Sequence, residues 1–217
     1  MISFFFMQFL RGTASARRIV EVLDTDSEIK QIAKPIKEVR DGSVSFKNVI
    51  FRYPGSREKT LKDINFDLET GEILGIIGST GSSKSTLVQL IPRLYDVTKG
   101  AVSVGGVDVR NYDLTVLRDK VAFVLQRNTL FSGTLRENML WGNENATDEE
   151  IIKALKQAQA WEFVSKYKDG LDHRVEQGGE NFSGGQKQRL TIARALMKSP
   201  KIIILDDSTS AVDMTTD

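Results

Sequence analysis

Residues 76–87, IIGSTGSSKSTL, restrict the possible folds of this chain more than any other stretch. An apolar run stops at Gly78, a small-residue loop follows, and the run after it has helical spacing. That is the setting in which G-x-x-x-x-G-K-[ST] cradles a polyphosphate on successive backbone N–H groups. Gly78, Ser79, Thr80, Gly81, Ser82, Lys84, Ser85 and Thr86 fit the pattern. Ser83 departs from it, standing where glycine is expected before the lysine. Lys84 is positioned to reach the outer phosphates, and the Ser85 hydroxyl to meet Mg²⁺.

A second feature supports the first. KIIILDD (201–207) is a continuous apolar strand ending in Asp206, the place for a carboxylate that holds Mg²⁺ through water. Between the two, strand and helix patterns alternate. SVSFKNVIF (43–51) and TLKDINFDLE (60–69) read as half-buried strands, and EILGIIG (72–78) as a buried strand feeding the loop. Leu87, Leu90, Ile91 and Leu94 carry helical spacing past the loop. Gly105-Gly106 predicts a hairpin turn, and VAFVL (121–125) another strand. From about 127 to 198 the pattern is helical, with capping signals at Thr147…Glu150 and Ser183…Gln186. Alternation of this kind predicts an α/β fold with a mainly parallel core sheet covered on both faces.

Lys and Arg number 30 against 29 acidic residues, so no overall field favours nucleic acid. There are no cysteines and one histidine, His173, which excludes disulfides, thiol nucleophiles and a histidine-rich metal cluster; His173 is expected at the surface. Trp141, Trp161 and the phenylalanines are expected to pack in the core or a subdomain. MISFFFMQFL at the start is too short to cross a bilayer, which takes roughly 20 apolar residues. A signal peptide, a buried helix end and the last turns of a membrane helix compete for it. Arg11, Arg17 and Arg18 directly after it favour the last of these, leaving on the cytoplasmic side. Residues 1–28 are thus expected to be a membrane-helix tail with its extension, 29–42 a linker containing Pro35, and 43–217 the main domain.

NFSGGQKQRLTIARAL (181–196), together with the phosphate loop and ILDD in that order, resembles the nucleotide-binding domain of exporter-type ATP-binding-cassette (ABC) transporters. The resemblance implies a P-loop NTPase with an antiparallel β subdomain and a helical signature subdomain at about 127–198. It implies that Tyr53, in FRYPG, stacks on adenine. Gln126 would sense Mg²⁺, and with Lys84 and Asp207 it makes up the expected catalytic set. Ser183, Gly184, Gly185 and Gln186 would bind the γ-phosphate of ATP held by a second nucleotide-binding domain. Ser85, Gln126 and Asp206 would serve Mg²⁺, and residues 210–213, SAVD, would cross the dimer interface. The family's switch histidine lies beyond position 217, so the chain reads as an incomplete domain, cut at its C-terminal side from a larger plasma (inner) membrane protein.

Family ATPases commonly carry glutamate where this chain has Asp207. The shorter side chain withdraws its oxygens by about 1.5 Å, a C–C bond length. A misplacement near 1 Å can cost on the order of 10²-fold in rate. Ser83, if held at positive φ, costs on the order of 1–2 kcal/mol. Both departures fall on the chain's own half-site, while its signature is intact. This resembles the degenerate-site subunit of a heterodimeric multidrug or lipid exporter. The alternatives are a soluble ABC ATPase of DNA repair or translation, which the apolar start disfavours, and a non-hydrolysing nucleotide sensor or decayed remnant.

Overall fold

The computed structural model describes residues 2–126 and 128–206. It divides into two compact units, one ending at Lys30 and one starting at Gln31. The first unit is helix α1 (Ile2–Leu23), none of whose residues is buried. It stops where DTDSE begins, after bonds from Asp24 N to Val20 O at 2.8 Å and from Thr25 N to Val22 O at 3.3 Å. Among the described residues no helix is long and apolar enough to cross a membrane.

In chain order the second unit runs β1 (Val44–Phe51), β2 (Leu61–Leu68), α2 (Lys84–Gln89), β3 (Lys99–Val104) and β4 (Val107–Asp108). Next come α3 (Leu114–Lys120), β5 (Val121–Val124), β6 (Gly133–Thr134), α4 (Leu135–Leu140) and α5 (Asp148–Gln157). The last are α6 (Trp161–Val164), β7 (Arg174–Val175), α7 (Gly184–Leu196) and β8 (Ile202–Leu205).

The strands form a four-stranded antiparallel sheet, ordered β2-β1-β3-β4, and two separate pairs. Alternation in β1 turns Val44, Phe46, Val49 and Phe51 inward, and Phe46 stacks on its cross-strand partner Phe66 at 4.6 Å. Gly105 and Gly106, at φ 55° and 76°, make the β3–β4 hairpin turn, a backbone only glycine adopts without strain. The expected parallel sheet is represented, among the described residues, by β5 beside β8, with Val121 opposite Ile202 and Val124 opposite Leu205.

Two cores result. One joins the inner faces of β1 and β3 to Leu90, Leu117, Val121 and Ile204. The other lies among the helices between Leu130 and Met197, with Leu135, Met139, Ile151, Leu155 and Leu190 at or below 1% exposure. Each such aliphatic side chain contributes about 1.5–3 kcal/mol by leaving water. The stretch read as a linker is pinned to this unit from Gln31 onward. Gln31 Nε2 donates to Tyr112 O at 2.8 Å, its Oε1 accepts from Leu114 N, and Val39 is buried.

Several expectations fail for identifiable reasons. Residues 72–78 form no strand, and Ile73 and Ile77 are 98% and 99% exposed. The pattern is apolar enough for a strand, but a strand exists only through pairing, and no described segment pairs with it. Helix α2 ends at Gln89 rather than reaching Leu94, which is exposed. Pro92 and the positive φ of Arg93, 52°, cannot continue a helix. Ile203 and Leu205 are half exposed on one face of β8, while Ile204 is buried on the other, so the described residues cover one face of that strand more fully than the other. Trp141 is 69% exposed and stacks on Phe131 instead of filling a core. His173 is half-buried, its ring parallel to that of Tyr167 at 3.7 Å.

Candidate functional site

The loop before α2 is a set of tight turns. Ser82 N donates to Ser79 O at 3.1 Å, Gly81 has φ 83°, and Ser83 caps the helix at φ 67° and ψ 23°. The Ser83 side chain makes no capping bond. Lys84 folds back over the loop, its Nζ donating to Gly78 O at 2.7 Å and Ser79 O at 3.1 Å. Gly78 lets the loop close tightly: a Cβ there would come within 2.5 Å of Ser82 Oγ, so the Ser82 side chain would have to shift. Gly78, Ser79, Thr80, Gly81, Ser82 and Ser85 are all exposed, whereas Thr86 is buried. The loop therefore offers polar groups to solvent around an ammonium that, among the described residues, is bound to two carbonyl oxygens.

Tyr53 stands beside this loop. Its hydroxyl lies 2.9 Å from Thr86 Oγ1. Its ring meets Phe51 at 4.8 Å and Tyr95 at 5.2 Å, both near right angles. It is partly buried against the first core, so it is a packed residue with an accessible portion.

Asp206 and Gln126 leave the parallel pair at one end. Asp206 follows β8 directly and donates its N–H to Val124 O at 3.0 Å, and Gln126 lies two residues beyond Val124. The carboxyl ends of parallel strands are where α/β folds bind ligands. Farther along, the segment is held by Thr191, whose hydroxyl donates to Asn128 Oδ1 at 2.7 Å, and by Arg194 Nη2 donating to Thr129 O at 3.0 Å. Burial pushes the Arg194 guanidinium below its ordinary pKa.

Ser183 is the N-cap of α7. Its Oγ accepts from Gln186 N at 3.3 Å, and Gln186 Oε1 accepts from Ser183 N at 2.9 Å, a capping box. Ser183 and Gly184 are exposed at the positive end of a helix of 13 residues, an anion-binding position. Phe182 is buried in the second core, and Asn181 clasps the turn, accepting from Glu176 N and donating to Arg174 O. The sequence reading missed this clasp, although Asn just before the cap, with both a donor and an acceptor, was its signal. The Tyr53–Thr86 bond was likewise unread, because nothing local pairs residues 33 positions apart.

The structure thus brings Tyr53 to the phosphate loop and places Gln126 and Asp206 at the same end of the β5–β8 pair. It sets the signature on the second core, away from the first core that carries the loop. Asp207 and residues 210–213 lie outside the described residues. For Mg²⁺, Ser85, Gln126 and Asp206 offer hard oxygen donors, which suits that ion. No group of three His, Cys, Asp or Glu side chains among the described residues could hold a metal alone. Such an ion would therefore need phosphate oxygens and water, as Mg²⁺ ordinarily does.

Residues 61–210 match the family model described as ABC transporter. The chain belongs to the ABC transporter family. It is 43% identical over its whole length to the "Uncharacterized ABC transporter ATP-binding protein YfiB" of Bacillus subtilis, covering 38% of that protein. It is 44% identical, over 94% of its length, to "Putative multidrug export ATP-binding/permease protein YgaD" of the same organism, covering 35% of it. Among solved structures, a bacterial Atm1-family ABC exporter with ATP bound superposes with a TM-score of 0.87. That match has 31% identity and covers 96% of this chain and 37% of the exporter chain. The chain spans little more than a third of the length of these ABC relatives. Its fold is the ABC ATPase form of the P-loop NTPase fold, mixed α/β with an antiparallel sheet.

Proposed function

We propose that this chain is the ATP-binding and ATP-hydrolysing part of a membrane exporter. In this reading it binds ATP weakly matched to hydrolysis at its own loop and presents a sound signature to a second nucleotide-binding domain. The observation that carries the proposal is Lys84, folded over an exposed loop with its Nζ on the Gly78 and Ser79 carbonyls. Those two bonds hold the ammonium ready to turn outward, and a triphosphate offers it charged oxygens in exchange. The Tyr53 ring takes the adenine, and the loop's N–H groups take the phosphates. Mg²⁺, when bound, offsets phosphate charge; Ser85, Gln126 and Asp206 are the residues that would hold it.

Asp207 orients the attacking water in this scheme, and one methylene too few leaves that water badly aimed. Ser183, Gly184, Gly185 and Gln186 complete the partner's site through the start of α7. The asymmetry between a flawed own half-site and a sound signature favours a heterodimer. Residues 1–28 are assigned to the cytoplasmic end of a last membrane helix and its extension, placing the domain on the cytoplasmic face of the plasma membrane. The multidrug-export names of its relatives support export of a drug-like substrate.

Nucleotide titration of the full-length transporter subunit tests this reading. Lys84→Ala should weaken MgATP binding at least tenfold, a loss of about 1.4 kcal/mol or more. Equal affinity in the wild type and the variant would remove the loop from nucleotide binding and end the proposal.

A further inference from the structure

Thr86 follows Lys84 by two residues and is 8% exposed, so its hydroxyl must find a partner inside the protein. Its partner is the Tyr53 hydroxyl, at 2.9 Å, across 33 residues of sequence. Tyr53 lies just past β1, next to a chain reversal closed by Ser56 N donating to Tyr53 O at 3.0 Å. Its ring meets Phe51 and Tyr95 at interplanar angles of 79° and 88°, so neither neighbour stacks face to face on it. Two edge contacts limit how far the ring can shift, while the hydroxyl bond limits its rotation. The ring is thereby referenced to the same helical turn that carries Lys84.

We propose that Thr86 is a positioning residue that holds the Tyr53 ring at a fixed attitude to the phosphate loop. Base recognition and phosphate recognition then depend on one link between two hydroxyls. The proposal rests on the reading that Tyr53 stacks on adenine. With the link intact, ATP meets a ring already set at the distance and tilt its base requires. Without it, the ring must be ordered at the moment of binding, and that ordering reduces affinity. A ligand with phosphates and no base gains nothing from the link.

The test measures dissociation constants of MgATP and of magnesium tripolyphosphate on the full-length protein. The proteins compared are wild type, Tyr53→Phe, Thr86→Val, the double variant, Thr86→Ser and Tyr53→Ala. A net hydrogen bond corresponds to a weakening of roughly threefold to tenfold, which is expected for MgATP in Tyr53→Phe and in Thr86→Val. The double variant should be no weaker than either single one, because both remove the same bond. Thr86→Ser keeps the hydroxyl and should bind MgATP within about twofold of wild type, well inside the weight of one hydrogen bond. Tripolyphosphate affinity should be the same in Tyr53→Phe and wild type. Tyr53→Phe preserves every ring contact, so it decides the matter even if Thr86→Val folds poorly. Wild-type MgATP affinity in Tyr53→Phe, or losses that multiply in the double variant, would overturn the link. Tyr53→Ala separates the two levels: if it keeps the full preference for ATP over tripolyphosphate, the adenine reading itself fails. A preference lost in Tyr53→Ala but retained in Tyr53→Phe sinks the link alone.

Discussion

Ser83 is held at φ 67°, in the left-handed region, where a Cβ costs on the order of 1–2 kcal/mol relative to right-handed backbone. Glycine would relieve that strain but would lose more backbone freedom on folding, about 0.5–1 kcal/mol. Ser83→Gly should therefore raise stability modestly, by about 0.5–1 kcal/mol. Urea unfolding would read this as a higher midpoint with an unchanged slope. The sequence exposed the mismatch, and only the backbone angles separate strain from crowding of the phosphates. Asp108 behaves differently. Burial would raise its pKa, but the hydrogen bonds of the Arg110 side chain and backbone, with the guanidinium charge, outweigh it and leave Asp108 below the usual carboxylate value. A carboxyl lowered by folding contributes stability above its unfolded pKa, about 3.9, and loses it as pH falls through the lower folded value. Asp108→Asn should therefore flatten the acid limb of stability against pH below about 4. Unfolding midpoints measured from pH 2 to 6 would check it.

Helices α5 and α7 start alike, and the comparison isolates what the signature adds. Thr147 Oγ1 accepts from Glu150 N and Glu150 Oε2 from Thr147 N, as Ser183 and Gln186 do at α7. Removing either cap should cost about 0.5–2 kcal/mol of stability. Thr147→Ala should stop there and leave ATPase turnover in the assembled transporter unchanged. Ser183→Ala should lose the same stability and also depress turnover at the partner's site by at least tenfold, in steady-state assays of the assembled pair. Both caps could be read from T-x-x-E and S-x-x-Q, because capping is local chemistry. Strands β6 and β7 could not, since two residues each leave no period to detect. EILGIIG shows the opposite failure: its pattern is legible, but its structure depends on pairing that sequence position does not supply.

At the scale of the whole molecule, the described residues pack into two cores. The first carries the loop, Lys84 and the Tyr53 link, and the second carries the signature at the start of α7. The division was visible in sequence as a change from alternating to helical texture near residue 127. The pinning of residues 31–39 to residues 111–114 was not, because it depends on the Gln31 side-chain amide and on backbone bonds of Ile36 to Asn111 and Asp113, across some 80 residues. Two cores suit a domain that binds ATP with one half and completes a partner's site with the other. On the proposed reading, grip comes from loop amides and Lys84 while turnover depends on the reach of residue 207, so the two are separable. The most direct measurement is single-turnover hydrolysis, with MgATP binding followed in parallel, for the wild type and Asp207→Glu in the full-length protein. Equal affinities with a chemical step up to about 10²-fold faster in Asp207→Glu are the expected result. Equal rates in the two proteins would contradict a carboxylate that falls short of the water.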